Sequence, residues 1–557
     1  MKYFKITIIC VALSLFVNMT KAQELQWMWA TQGLGAGSDN VSGMVCDSLG
    51  NLYIAGNFTD SVSFGETILT AQGKNDIFLV KYTKDGKVIW AKSAGSTGND
   101  YPSTLAISPD GNLYMAGMIG KEAAFDEKIS GEKKQNLFIA RYTTEGEIQW
   151  ITAWQARTGD YITALAADSA NNLYCSGYFE KKLIIDNQHT IQAIGKSDAF
   201  AACFNSEGQT QWIKSWGGKG IDKITHIHIS DNQLWMTGSC QLSMQIDATN
   251  IAANESPAAF ILRATTEGEI ISAEKLAEGN DIHIAKIKPL ANGSIAVGGS
   301  FSGSLKIENQ TMQSFGNHDI FIALIDTAQN IIWQQQVGSY GFDKLYDIIE
   351  QPESGIVVTG IYSGVLFIGN DTTSFQCARA DLFNLALDNE GTQQWISTTG
   401  GRTEQYPAAL AQDGKGNIYV AGAFRDTLKI RRSTLSAPKG KYNVFFAKLH
   451  RCVHQPLTFI CDTIFTEGTA LPLQLNGNYE AYRWDHGRSN KPTYKVNCSG
   501  TYRVSVTDSL KCIYRDSITV KQIPAPPVIQ IRAQLEETNN QLYSVRDFVL
   551  IAKLEED

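Results

Sequence analysis

Three sets of side chains in this 557-residue sequence have types and spacings that suit chemistry. The first is His226-x-His228, Lys286-x-Lys288 and Asp347 with its partner Ile349. Alternate residues of a strand share a face, so each pair points both heads the same way. Imidazoles beside ammonium groups suit an anion or a small polar ligand. His-x-His also supplies two ligands for a metal, but the spacing secures no third, and no metal is expected. The second set is acidic: Asp39, Asp100, Asp160, Asp222, Asp281, Asp343 and Glu404 recur at nearly equal intervals. A carboxylate after a glycine-rich turn ordinarily accepts backbone N–H bonds. These are therefore expected to be structural loop carboxylates, with a cation-binding ring as the sharper alternative. The third set is cysteine. Cys46, Cys175, Cys203, Cys240 and Cys377 are odd in number, so at least one free thiol is expected, while Cys175 and Cys203 are candidates to face each other. Cys452, Cys461, Cys498 and Cys512 cluster near the end and contain no Cys-x-x-Cys, which favours disulfides over zinc. Of the three possible pairings, Cys461–Cys512 is expected. No Gly-x-Ser-x-Gly, His-Glu-x-x-His or Walker string is present, and no catalytic residue or cofactor is identified.

These groups are positioned by a repeat. A glycine closes a GNLYMAG-like string at Gly56, Gly117, Gly177, Gly238, Gly299, Gly360 and Gly422, every 60–62 residues. A phenylalanine follows in phase at Phe78, Phe138, Phe200, Phe260, Phe321, Phe383 and Phe445. A turn glycine precedes a tryptophan by four residues at Gly86/Trp90, Gly146/Trp150, Gly208/Trp212 and Gly391/Trp395. Each unit holds two hairpin signals, such as the apolar runs around Pro109-Asp110-Gly111, and no helical periodicity. Four strands, A to D, in about sixty residues suit a propeller blade. The last unit lacks its D strand, but Leu25–Ala30 matches Lys87–Ala91 and should pair beside Asn443–Leu449. The fold class expected is all-β: a seven-bladed β-propeller over 23–451 closed by an N-terminal strand, then a small immunoglobulin-like β-sandwich over 452–523. Residues 524–557 read as a proline-rich linker and short tail.

Counting back from each glycine places the first chemical set on strand A. In units 1, 2, 3 and 7 the corresponding pairs are Gly43/Val45, Thr104/Ala106, Ala164/Ala166 and Ala409/Ala411. Only units 4, 5 and 6 carry titratable groups there. Strand A is innermost in a propeller, so any small-molecule or anion site is expected on the channel wall of those three units.

Residues 1–22 read as a secretory signal: Lys2 and Lys5 precede the apolar run Ile6–Val17, with small residues before Gln23. No other stretch reaches the length of a membrane span. A net charge of −8 disfavours nucleic acid as partner. Each repeated tryptophan is expected to cap its unit with about 4–6 kcal/mol of ring burial, and Trp216, outside the repeated phase, to matter less than Trp150.

Asp47-Ser48-Leu49-Gly50-Asn51-Leu52-Tyr53-Ile54-Ala55-Gly56 with Asp76-Ile77-Phe78-Leu79-Val80-Lys81-Tyr82 resembles the bacterial β-propeller repeat of the SBBP type. Residues 458–523 resemble the immunoglobulin-like, PKD-like modules of bacterial surface proteins. The Gly-x-x-x-Trp element is also similar to the docking element of pyrroloquinoline quinone dehydrogenases, but packing alone accounts for the ring. The repeat resemblance speaks to the scaffold; with the signal segment and no assignable catalytic set, the function expected is that of a secreted or surface-associated, non-enzymatic interaction protein that binds a protein or glycan partner. The alternatives are a propeller enzyme acting on polysaccharide, as lyase or hydrolase, and a structural spacer of a larger surface assembly.

Overall fold

The computed structural model describes residues 25–525 except 254–255, 352–354, 370, 377–378, 401–402, 431–432, 453–455, 461–462, 485–490 and 510–511. The expected signal segment, the tail beyond residue 525, Cys377 and Cys461 lie outside the described residues. The chain is all-β and forms two compact units, the first running through His454 and including Leu510–Cys512.

In the first unit the repeat appears as antiparallel four-strand arrays. The second repeat runs Tyr101–Ile107, Leu113–Ile119, Asn136–Tyr142 and Ile148–Gln155, paired in that order. The B and C strands are buried on both faces, as in Leu113–Ile119 and Asn136–Tyr142. Strands packed on both faces read as continuous apolar runs rather than alternating ones. The D strands are partly exposed along most of their length and buried only near their ends. The seventh array is Gln405–Gln412, Ile418–Arg425, Tyr442–Arg451 and then Leu25–Gln32, with Leu25 opposite Arg451 and Gln32 opposite Phe445. The expected pairing of the N-terminal strand is therefore present. The A strands neighbour one another cyclically: Asn40–Cys46, Tyr101–Ile107, Tyr161–Ala167, Asp222–Ser230, the end of Ile270–Pro289, Lys344–Gln351, Gln405–Gln412, and back to Asn40–Cys46.

Every A strand carries a β-bulge at the same place, for example between Val41 and Gly43, Ile224 and His226, and Leu345 and Asp347. The bulge brings an A-strand carbonyl onto the marker glycine of strand B. A Cβ at Gly56, Gly117, Gly177, Gly238, Gly299, Gly360 or Gly422 would overlap the carbonyl oxygen of Asn40, Tyr101, Tyr161, Lys223, His283, Lys344 or Tyr406 respectively. At Gly56, Gly177, Gly238, Gly360 and Gly422 the marker phenylalanine of strand C fills the space beside the glycine. Both sequence markers thus express one steric contact.

The Gly-x-x-x-Trp element works between neighbouring repeats. Gly86, Gly146, Gly208 and Gly391, all near φ +80°, lie against the rings of Trp29, Trp90, Trp150 and Trp333 from the preceding array. The indole N–H of each donates to a carbonyl in that same turn: Trp29 to Lys84 at 3.2 Å, Trp90 to Thr144 at 3.3 Å, Trp150 to Ser206 at 2.9 Å and Trp333 to Asn389 at 2.8 Å. The Asp-x-x-Gly-Asn-x-Tyr string closes the A–B turn. Asp47 accepts the N–H groups of Leu49 and Asn51, the Asn51 amide and the Tyr53 hydroxyl, and Asp168 and Asp413 repeat the clamp around Asn172/Tyr174 and Asn417/Tyr419.

Two expectations are corrected here. Strand D of the fourth repeat and strand A of the fifth form one continuous strand, Ile270–Pro289, so the loop expected to hold Asp281 is missing. Cys175 pairs with Ala202 while Cys203 pairs with Tyr174, so the two thiols stand on opposite faces of the sheet and both are free.

The second unit holds Leu471–Gln474 paired with Thr493–Val496, and a sheet in the order Ile464–Thr466, Ile513–Ile523, Gly500–Thr507, Ala481–Trp484. Its core gathers Leu473, Trp484, Val504 and Val506, with Trp484 stacked on Tyr494 at 5.4 Å. Cys512 is bonded to Cys452, S–S 2.02 Å, and not to Cys461 as expected.

Tryptophan burial also reverses the expected ranking. Trp216 is only 4% exposed and sits in a core with Met244 and Ile246, whereas Trp150 is half-buried. Emptying a buried aromatic site costs about 3–5 kcal/mol. Trp216→Ala is expected to lower the unfolding free energy by that amount, and Trp150→Ala by less, since part of its ring stays in water; denaturant titration of both variants checks this.

Candidate functional site

The A strands surround a cavity of about 910 Å3. His226, His228, Lys286, Lys288 and Asp347 all line it, so the structure brings the sequence-predicted set together. The bulge decides what else faces the cavity. Its extra residue is Ser42, Ser103, Thr163, Thr225, Ala285, Tyr346 or Ala408, and all seven line the same space. Strict alternation along strand A hides this ring. Tyr346 is its one large member. It stands fourteen residues before its marker glycine, where the other repeats carry small residues (one residue nearer in the fourth), and that contrast is legible once the repeats are aligned.

Asp347 organises the sector. Its Oδ1 lies 2.9 Å from Lys286 Nζ, and its side chain is 6% exposed. The same carboxylate accepts the N–H of Ile348 at 2.8 Å and, through Oδ2, the N–H of Leu410 at 2.8 Å. One carboxylate therefore joins strands A of the fifth, sixth and seventh repeats. Lys288 stands two residues beyond Lys286 on the same strand and has no hydrogen bond or ion pair among the described residues. Burial first, and then the Lys286 charge, lower its pKa.

The imidazoles keep a measurable surface because the cavity admits water, but protein surrounds them. Burial is the main cause, followed by the nearby lysine charges, that holds His226 well below the usual range and brings His228 down to about 3. Both rings are neutral at pH 7, and His226 Nδ1 has no hydrogen-bond partner. Among the described residues no group of three His, Cys, Asp or Glu side chains is placed to hold a metal.

The loop carboxylates divide. Asp100 accepts the Ser96 N–H at 2.7 Å and the Gly120 N–H at 2.7 Å, and Asp160 and Asp343 make the corresponding bonds to Arg157 and Glu180 and to Ser339 and Ser363. Asp222 accepts only Gly218 N–H, at 2.6 Å, and its Oδ1 is buried without a partner. Asp39 is 2% exposed and neither of its oxygens meets a donor at good hydrogen-bonding distance and angle, the Thr59 N–H acting on it only weakly. Burial raises all five; Asp222 and Asp343 reach about 7 and Asp39 about 8, the adjacent Thr59 N–H opposing the shift only partly. Asp281 and Glu404 do not share this role. Asp281 is exposed, with Oδ2 3.0 Å from His318 Nε2. In the seventh repeat Gln405, fully buried, occupies the position, and its N–H donates to Ala380 as that of Asp100 does to Asn75. Glu404 instead accepts the Tyr442 hydroxyl at 2.7 Å and lies 3.6 Å from Arg425 Nη1.

No family model matches the chain. It is 26% identical over 197 residues to the regulatory protein FlaEY of Caulobacter vibrioides, a match covering 33% of this chain and 20% of that protein. It is 21% identical over 406 residues to an uncharacterized WD repeat-containing protein, L264, of Acanthamoeba polyphaga mimivirus, covering 66% of this chain and 27% of that protein. The chain thus spans about a quarter or less of these relatives' lengths. Similar solved structures include a protein of unknown function from Dyadobacter fermentans (12% identity, 77% of this chain and 99% of that one, TM-score 0.35). They also include a puromycin hydrolase (11%, 80% and 58%, 0.36) and an apocarotenoid oxygenase from Synechocystis (12%, 77% and 94%, 0.36).

Two outcomes are expected from this geometry. Asp347→Ala strands a partly buried ammonium and two backbone N–H groups and should destabilise the first unit by about 2–4 kcal/mol, read as a loss of denaturant midpoint. Asp39, with its folded pKa raised from 3.8 to about 8, holds a proton that the unfolded chain releases above pH 4. Its contribution is therefore complete below that range and lost as pH rises to about 8. Asp39→Asn should flatten that decline and raise the melting temperature at pH 8, measured by scanning calorimetry across the range.

Proposed function

We propose that the chain is a non-enzymatic binding protein in which seven four-strand arrays form a closed propeller and the cavity at its centre takes an anionic group. In this reading the second unit is an immunoglobulin-like module, and the protein works outside the cytoplasm, on or near a cell surface, on an anionic group of a protein or glycan. The Cys452–Cys512 bond suits an oxidising compartment, and no helix of the described residues is long and apolar enough to cross a membrane.

The observation that carries the binding reading is the unequal treatment of the two lysines. Asp347 neutralises Lys286, whereas Lys288 points into the same cavity with its charge uncompensated by any ion pair among the described residues. A half-buried ammonium without a partner is costly, and an incoming carboxylate or phosphate supplies that partner. Neutral His228 adds a second donor through the ring nitrogen that carries its hydrogen. One observation favours a catalytic alternative on acidic polysaccharide: neutral imidazoles beside lysines could take a proton from a carbon next to a bound carboxylate. The signature of that chemistry is the ultraviolet absorbance of an unsaturated product.

Citrate is a suitable probe. Calorimetric titration should show binding that weakens about tenfold in Lys288→Met, the loss of one charge-assisted contact. The titration is run at pH 8, where all three citrate carboxylates are ionised and both imidazoles are neutral. His228→Asn, which keeps a neutral donor, should change the affinity much less than Lys288→Met. Citrate binding that is indifferent to Lys288→Met would overturn the reading.

A further inference from the structure

The other end of the A strands bears a separate arrangement. The residue that pairs just beyond each marker glycine is Asn40, Tyr101, Tyr161, Lys223, His283, Lys344 or Tyr406. Around this mouth the side chains are therefore amide or phenol in the seventh, first, second and third repeats and nitrogen bases in the fourth to sixth. The bases are electrostatic neighbours: crowding first, then Lys344 and Lys223, bring His283 down to about 4.

On the tyrosine side this mouth opens into a cavity of about 670 Å3, lined by Asp39, Asn57, Tyr346, Tyr406 and Tyr442 among others. Its aromatic wall is held in place before any ligand arrives. Tyr406 and Tyr442 have ring centroids 6.0 Å apart, the Tyr442 hydroxyl is fixed by Glu404, and the Arg425 guanidinium lies 5.9 Å from the Tyr442 ring. The Asn57 amide is set by a 3.1 Å bond to Asn75. Lys344 Nζ lies 5.1 Å from the centroid of Tyr346, whose ring lines both this cavity and the central one. Within it, Asp39 is 2% exposed with both oxygens unpartnered, although its counterparts Asp100, Asp160 and Asp343 are hydrogen-bonded through both. A buried polar group of this kind lacks a partner that a ligand can supply.

We propose that this mouth is a second binding site, for an acidic saccharide chain. The apolar C–H face of a pyranose ring covers a tyrosine face. Ring hydroxyls supply the hydrogen bonds missing at Asp39 and available at Asn57. The sugar carboxylate pairs with Lys344, which stands against the Tyr346 ring. Aromatic faces with a few convergent polar groups are the usual lining of small-ligand sites, and preset rings reduce the ordering cost of binding. The site uses different recognition groups from the central cavity and stands whether or not citrate binds there.

The test is calorimetric titration of the full chain with tetragalacturonate and with its methyl ester, which keeps the rings and removes the charge. The unmodified saccharide should bind, and the ester at least about tenfold more weakly, one charge-assisted contact being lost. Tyr406→Ala should weaken binding about tenfold and Lys344→Gln about fivefold, while Tyr406→Phe should stay within about twofold of wild type. If Tyr406→Ala fails to fold, Lys344→Gln and the ester carry the test. Absence of binding, equal affinity for the ester, or affinity unmoved by Lys344→Gln in a folded protein would each overturn the proposal.

Discussion

The contact on which the first unit depends is a carbonyl oxygen of strand A resting where a side chain of strand B would begin. It occurs at all seven marker glycines and is produced by the same bulge each time. A bulge inserts one extra residue, bends its strand and re-aims the side chains beyond it. Here it turns a residue of every A strand into the central cavity and offsets the pairs that follow. Glycine is required on the facing strand because any Cβ would collide with backbone, which cannot rotate away. The bulged path of the cavity wall is thus a consequence of main-chain sterics, and most side chains along it are free to vary, Asp347 with its bonds to Lys286 and Leu410 being an exception.

The arrays are then joined by contacts that satisfy polar groups while burying apolar ones. Each repeated tryptophan covers the turn glycine of the next array and gives its N–H to that turn. Trp395 lacks this N–H partner, consistent with a seventh C strand that leads out of the repeat at Cys452 instead of turning into a D strand. The loop carboxylates do similar work for backbone N–H groups at the D–A connections. Their raised pKa values record the opposing term: burial disfavours the charge more than two or three N–H bonds favour it. Where the connection is absent, as between the fourth and fifth arrays, the carboxylate is absent as well, and Asp281 is left exposed to meet His318.

The repeat, its four strands and the pairing of Leu25–Gln32 with Tyr442–Arg451 were legible because each rests on residues recurring in phase. The polar sector was legible for the same reason: His226, Lys286 and Asp347 depart from a pattern that the other repeats keep. Tyr346 was missed because an alternating strand was assumed, and a bulge changes the count by one. Glu404 was placed one residue off for a related reason; an acidic residue beside a buried glutamine looks like the stronger candidate when backbone bonding is unseen. The preference for Cys461 over Cys452 as partner of Cys512 rests on linear order, which carries no information about distance; both bonded cysteines belong to the first unit. Trp216 was underrated because phase measures repetition, whereas burial follows from what a given array happens to cover, here Met244 and Ile246.

The asymmetry of the wall bears on function. At the positions of these pairs four arrays carry small or apolar groups, and their charged lining residues, Asp47, Lys81, Asp110 and Glu145, belong to other parts of the arrays. Three adjacent arrays instead place two lysines, two histidines and an aspartate there. Asp347 repays part of this by uniting Lys286 with the backbone of the seventh array, and so has a structural reason to persist. Neutral His226 and His228 are tolerable at neutral pH but oppose folding in acid, where the unfolded chain takes up protons that the folded one refuses. Lys288 has no such contact; Glu350 and Asp347 favour its charge only from a distance, and burial with the Lys286 charge outweighs them. Stability alone would favour a neutral side chain at that position, as in the other arrays. A charge held in a cavity of ligand size without an ion pair among the described residues is what supports the binding reading over that of an inert spacer.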